Sequence, residues 1–363
     1  MKIIELNEFI DLFKPTQKST TFKEFLQKAV VKVGKNQTPL KEYMKKKNID
    51  HNDIRTLFEN IQNRNEYLTR FYKLSLQVTP ENLHITDEPM KNKQMNNNIK
   101  IHYKNFIRNI HYKDILQNTQ SGIDNVPTYM NVMTDLYLNY IIDYKLLTPS
   151  GLYYIRGGRI GSVFSSYYFR ASIMNPYLVY SLNERLLKGT KIFTPTLGWS
   201  SYAFGFLESP HTKEYVGVDV IPSVCTKTAE LIQMHSHKIT SQLICKPSED
   251  LLQNKPFMDK YRQHFDLVFF SPPYYKLELY SSNNQSTTRY KTYEEWLINY
   301  WENTIKICHD VLESNGKLCY ILSGYGSEES PEYKLLKDMN DITKKYFKLR
   351  AREKPINCRN QQK

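Results

Sequence analysis

The residues of this chain best suited to chemistry are Ser271-Pro272-Pro273-Tyr274, which follow directly on the apolar run Phe265-Asp266-Leu267-Val268-Phe269-Phe270. Such a run of β-formers reads as a buried central strand, and two successive prolines forbid both its continuation and a helix. The chain must turn there. Prolines fix φ and donate no backbone hydrogen bond, so the carbonyls around Ser271 and Pro272 are left as preorganised acceptors beside a hydroxyl and an aromatic ring. A corner of that kind can hold a planar amine. In open α/β sheets ligands bind outside the carboxyl ends of strands, where this corner would lie. Read alone, the tetrapeptide is equally a turn that ends a strand.

A second set of residues lies upstream. Lys191-Ile192-Phe193-Thr194 reads as a short strand, Pro195-Thr196-Leu197-Gly198-Trp199-Ser200 as a glycine-containing turn, and the residues after it as an apolar helix through Ala203, Phe204, Phe206 and Leu207. Gly198 permits close approach of the backbone to a ligand. Tyr215-Val216-Gly217-Val218-Asp219-Val220 reads as a second buried strand with an acid near its end, where a doubly wound nucleotide site engages ribose hydroxyls. Asp219 is then a hydroxyl acceptor. A third unit follows, with Ser241 to Cys245 as strand and Ser248-Glu249-Asp250 as a turn able to accept from an adenine amino group.

This order resembles the S-adenosylmethionine-dependent amino-methyltransferases of DNA. Their pattern is Asp-Pro-Phe-x-Gly-x-Gly, an acid after the second strand, an acid or polar group after the third, then Asp/Asn/Ser-Pro-Pro-aromatic after the fourth. The resemblance covers roughly Met174 to Tyr325. It implies a Rossmann-like, doubly wound α/β sheet, with S-adenosylmethionine held by Thr194, Pro195, Gly198, Asp219, Glu249 and Asp250. It also implies that Ser271, Pro272, Pro273 and Tyr274 are catalytic. In that family the amine attacks the sulfonium methyl directly: Ser271 and the Pro272 carbonyl would accept the amine hydrogens, while Tyr274 stacks on a base flipped out of the duplex. Serine at the head of the box resembles the cytosine-N4 enzymes, so that base is preferred here over adenine-N6. Thr194 stands where the family usually has an acid and Ser200 where it has a second glycine. The first change removes an acceptor, and the second adds a Cβ at the backbone's closest approach.

The elements that must position these residues divide the chain of 363 residues into two expected domains. Residues 1–147 read as mainly helical and basic, a nucleic-acid or partner-binding region, and 148–363 as the methyltransferase domain. A net charge of +13 and a pI of about 9.2 favour a polyanionic partner, DNA first and RNA second. Thr38-Pro39 opens a helix through Met44, and a second starts near Ile49, a helical hairpin or helix-turn-helix with Lys45-Lys46-Lys47 at its bend. Met90 to Asn98 reads as a polar loop or linker. The echo of Ile101-His102-Tyr103-Lys104 in Ile110-His111-Tyr112-Lys113 reads as a solvated helix face that packs its tyrosines, with a nucleic-acid contact as the alternative. Tyr154 to Gly161 is glycine-rich but lacks the Gly-Lys-Ser/Thr ending of a phosphate loop. Asn175-Pro176 starts an apolar helix, Lys276 to Thr292 is long enough for a lid, and Trp296 and Trp301 read as core. Glu278 reads as a loop contact rather than a base. Gly316 to Leu322 reads as the fifth strand, and Lys344 to Ile356 as a last hairpin.

Five cysteines without close pair spacing argue against a zinc cluster or a disulfide framework, so no metal is expected. The start lacks the apolar core of a signal peptide and no stretch reaches membrane-spanning length, which points to a soluble intracellular protein. The alternatives to DNA methylation are an RNA or protein-glutamine methyltransferase and a catalytically silent nucleic-acid-binding subunit. The identity of the methyl acceptor separates the first two, and cofactor binding separates the last.

Overall fold

A three-stranded sheet lies in one of two units of the chain and a five-stranded sheet in the other. The computed structural model describes residues 1–15, 20–122, 126–235, 239–322 and 333–349. One unit comprises Lys2–Gln77 with Tyr112–Ala171, and the other Val78–His111 with the described residues from Ser172 to 349. These units do not follow the expected boundary between 147 and 148, because Val78–His111 joins the second unit and Thr148–Ala171 the first.

The first unit is mostly helical around a small sheet that the helical expectation for residues 1–147 does not include. Strands β1 (Val30–Val33) and β2 (Asn36–Pro39) form an antiparallel hairpin, and β3 (Ile141–Asp143) pairs parallel with β1, Val31 opposite Ile142. Gly34 has φ +61°, which the two-residue hairpin turn requires. The expected helix therefore starts at Leu40 rather than Thr38, since Thr38-Pro39 completes β2. It ends at Lys47 with Asn48 left-handed, and Asp50 caps the next helix, His51–Gln62, by accepting from the Asn52 N–H at 2.6 Å. Lys45, Lys46 and Lys47 are exposed in the last turn. The Asp53 carboxylate is held by the Arg156 Nε and Nη2 at 2.6 and 2.7 Å, so that arginine of the glycine-rich stretch serves an ion pair.

The second unit carries five strands in register, β4 (Lys191–Thr194), β5 (Glu214–Asp219), β6 (Thr240–Cys245), β7 (Phe265–Phe270) and β8 (Leu312–Tyr320). Their order is β8-β7-β4-β5-β6 and every pairing is parallel. This is a doubly wound, Rossmann-like α/β sheet. The winding reverses between β4 and β7, and right-handed crossovers put the helices of the two halves on opposite faces. Phe206 of the first crossover helix packs on Tyr215 and Phe269, and Phe257 of the third on Phe193. Trp296 and Trp301 are fully buried, as expected.

The segment Val78–His111 belongs to this core. Its helix His102–Ile110 buries Tyr103, Phe106, Ile107 and Ile110, with the Phe106 ring 5.3 Å from Phe204 and the Tyr103 ring 5.6 Å from Tyr177. The expectation of a solvated basic face is thereby corrected: Arg108 is buried against Asn105 and Lys100 pairs with Asp87 at 3.0 Å. Met90 to Asn98 is not a linker either. Met90 and Met95 are buried, and Asn97 donates to the Ile173 carbonyl and accepts from the Asn175 N–H at 2.6 Å. Of the expected final hairpin, residues 344–349 follow the helix Leu335–Thr343 as turns, and residues 350–356 lie outside the described residues. No helix among the described residues is long and apolar enough to cross a membrane.

Candidate active site

All five strands run the same way, so the turns after them gather at one edge of the sheet. The turn after β4 and the corner after β7 flank the reversal of winding, where α/β sheets bind ligands. They are joined directly, because the Ser271 N–H donates to the Tyr202 hydroxyl at 3.0 Å and Tyr202 stands in the helix that follows the β4 turn.

The turn has an uncommon backbone. Gly198, Trp199 and Ser200 have φ of +53°, +58° and +67°, three left-handed residues in succession. Only the first is glycine, and a Cβ there would stand 2.2 Å from the Tyr202 ring. Side chains hold the other two. Ser200 is fully buried, and its hydroxyl lies 2.8 Å from His111 Nε2 and 2.7 Å from Thr228 Oγ1. Thr228 gives its own proton to the Val224 carbonyl, so Ser200 donates to Thr228 and accepts from His111. That leaves His111 Nδ1 as a bare acceptor, buried and without a partner among the described residues, on an imidazole whose burial holds it neutral, well below its usual pKa. Trp199 sits between His111 at 6.0 Å and Tyr280 at 5.6 Å, ring to ring. Sequence motifs point to none of His111, Trp199, Tyr202 or Thr228 as site residues; the one signal is Ser200 at a glycine position.

Asp219 ends β5 facing this turn. One oxygen accepts from the Leu197 N–H at 3.1 Å, the other from the Val220 and Ile221 N–H groups at 2.8 and 3.1 Å. Burial raises its pKa, opposed by those three bonds. A carboxylate has about four lone-pair sites, so one remains for a hydroxyl. Thr194, by contrast, points inward. It is fully buried with its hydroxyl 2.8 Å from that of Tyr215, and does not stand in for the missing acid.

Glu249 and Asp250 open the short 3-10 helix after β6. Arg289 spans them, Nη1 to Glu249 and Nη2 to Asp250, both at 2.6 Å. Burial pushes Glu249 up to about 7 against the pull of that guanidinium. Arg289 comes from the expected lid, and so do Ser282, which donates to the Val220 carbonyl, and Tyr280 beside Trp199. The segment thus reaches over the ends of β5 and β6. Glu278 within it is buried, accepting from the Ser172 N–H and the Tyr280 hydroxyl.

At the corner itself, Ser271 Oγ donates to the Ile321 carbonyl at 3.0 Å. Its proton is thereby committed and its lone pairs are left to accept. Pro272 is buried, Pro273 and Tyr274 are partly exposed, and Tyr275 is buried in a cluster with Tyr293, Trp296 and Tyr333. Pro195 lies partway along the turn that carries Gly198, buried.

No family model and no curated protein matches the sequence. Among solved structures, the chain is similar to the crystal structure of SMU.776, a methyltransferase candidate complexed with SAH, at 12% identity and a TM-score of 0.31. That match covers 51% of this chain and 44% of the other, so less than half of that protein is spanned.

Proposed function

We propose that this chain transfers a methyl group from S-adenosylmethionine to an exocyclic amine of a base in DNA, cytosine-N4 ahead of adenine-N6. The observation that carries the reading is the Ser271 hydroxyl. With its proton given to Ile321, it is an acceptor at the carboxyl end of β7, beside the Pro272 carbonyl and Tyr274, across the reversal of winding from the glycine turn.

The donor set at that turn suits the cofactor. Asp219 retains an acceptor site for a ribose hydroxyl, Glu249 can accept from an adenine amine, and Ser201 Oγ and His111 Nδ1 are buried polar atoms there without a partner. Bound there, the sulfonium would supply an activated methyl. The chain's own residues would hold the two amine hydrogens between Ser271 Oγ and the Pro272 carbonyl, which turns the nitrogen lone pair out of ring conjugation, and would stack the base on Tyr274. No general base is needed before attack, since the proton can leave the product cation. Exposed Lys45, Lys46 and Lys47 suit phosphate contacts.

The test is nucleoside mass spectrometry of DNA from cells that express the chain, with tritium transfer from labelled cofactor to DNA, RNA and protein in parallel. N4-methylcytosine or N6-methyladenine supports the reading, and label in RNA or protein alone overturns it. The inward-facing Thr194 favours a second reading, a nucleic-acid-binding subunit that does not hold the cofactor; absence of cofactor heat in calorimetry would support it.

A further inference from the structure

We propose that His84, Glu208 and His235 form a divalent transition-metal site of the zinc class, apart from the methyl-transfer corner. Among the described residues these three offer ligand atoms that all lie within 4.8 Å of one another. His84 Nδ1 is 3.0 Å and His235 Nε2 3.3 Å from the same oxygen, Glu208 Oε1. Zinc bonds of 2.0–2.1 Å in tetrahedral geometry separate neighbouring donors by roughly 3.3 Å, so small shifts would close the site.

His235 gives the second argument. Its side chain is 2% exposed, and its Nδ1 faces the Leu231 carbonyl at 3.0 Å. With the Nδ1 proton given to that carbonyl, Nε2 would be the ligating nitrogen, the arrangement that metal-bound histidines show. Nε2 in turn faces two oxygens, the Leu83 carbonyl and Glu208 Oε1. One proton would serve His235, but His84 Nδ1 converges on the same carboxylate oxygen from its other side, and a metal satisfies both imidazoles at once. Two imidazoles and a carboxylate, without thiolate, suit zinc, and the 59% exposed His84 leaves room for water as fourth ligand.

The three ligands come from places that the His111 network also joins. Glu208 follows the helix Ser201–Leu207 that starts at the left-handed turn, His235 ends the helix Pro222–His235 that carries Thr228, and His84 lies on the segment that ends at His111. The metal would therefore brace that assembly at the end remote from the turn.

The experiment uses the full chain, stripped with chelator and freed of it, and titrated with Zn²⁺ by calorimetry and with Co²⁺ by visible absorption. One equivalent of Zn²⁺ should bind and raise the melting temperature. His84→Ala, at a largely exposed side chain, should fold and bind Zn²⁺ at least about tenfold more weakly, as should Glu208→Gln. Co²⁺ should show d–d bands without a thiolate charge-transfer band. Absence of uptake by the wild type, equal affinity in His84→Ala, or a thiolate band that moves the metal to cysteine would each overturn the proposal.

Discussion

At the scale of single residues, the site rests on where protons are placed. Ser271 keeps lone pairs to accept because Ile321 takes its hydrogen, and in the proposed function Tyr274 rather than Tyr275 would be the platform, since Tyr275 is enclosed by other rings. Tyr274→Ala should leave the fold and cofactor binding unchanged and lower methyl transfer by the loss of stacking, about 1–3 kcal/mol. Filter-binding and single-turnover assays check this, and full activity in the variant would remove the stacking role. Glu249 gives a pH prediction. Its pKa of about 7 in the folded protein lies above the ordinary carboxyl value, so between about 4.5 and 7 the folded state keeps a proton that the unfolded chain has released. The folded state is thus favoured at acid pH, and this contribution is lost as pH rises through that window, by roughly 1.4 kcal/mol per unit. Urea midpoints of the wild type and Glu249→Gln at pH 5 and pH 8 should diverge accordingly; parallel shifts would show that Arg289 keeps the carboxylate charged throughout.

At the scale of elements, the left-handed turn and the segment that props it act as one part. His111→Ala leaves a buried hydroxyl without its donor, a loss of about 1–3 kcal/mol. Ser200→Gly removes the need for that donor and accepts φ > 0 without strain, so the double variant should be less destabilised than the sum of the singles. Denaturant unfolding of the four proteins measures the coupling, and strict additivity would contradict it. Strands β4, β5 and β7 are legible in the sequence because each is a short apolar run closed by proline or an acid, and Ser271 to Tyr274 because proline chemistry is local; β8 runs Leu312–Tyr320 rather than from the expected Gly316 to Leu322, because its first half is polar and carries no apolar signal. The partner of Ser200 is not, since it lies 89 positions away with no periodic signal. Met90 to Asn98 misleads for a related reason: asparagine composition suggests solvation, whereas Asn97 makes specific backbone bonds. The hairpin β1–β2 does carry a signal, Val33-Gly34-Lys35-Asn36, a two-residue turn between extended runs.

At the scale of the whole molecule, charge and connectivity matter most. A net +13 favours polyanions, but Arg108 and Lys100 are engaged within the chain, which leaves Lys45 to Lys47 as the sharper test. Replacing all three by Gln should lower the slope of log affinity for DNA against log salt by about 0.9 for each phosphate that these lysines neutralise in the wild type. An unchanged slope would take that bend out of the DNA interface. A chain begun at Thr148 would lack Tyr103, Phe106, Ile107 and Ile110, which fill the sheet unit's core. At about 1.5–3 kcal/mol for each buried side chain, that approaches the whole stability of a domain, so the fragment should show no cooperative melting in circular dichroism. A sharp transition there would mean that the segment is dispensable.

The interleaving of the units also sets a timetable for synthesis. Lys2–Gln77 leaves the ribosome without its complement, and the apolar helix His102–Ile110 follows before any strand of its own sheet exists. Neither unit can close until Ala171 is made, and the second waits further for β4 to β8. At roughly 5–20 residues per second the exposed helix would stay uncovered for about 10–40 seconds until β8 is made, an interval in which nascent-chain chaperones would find it.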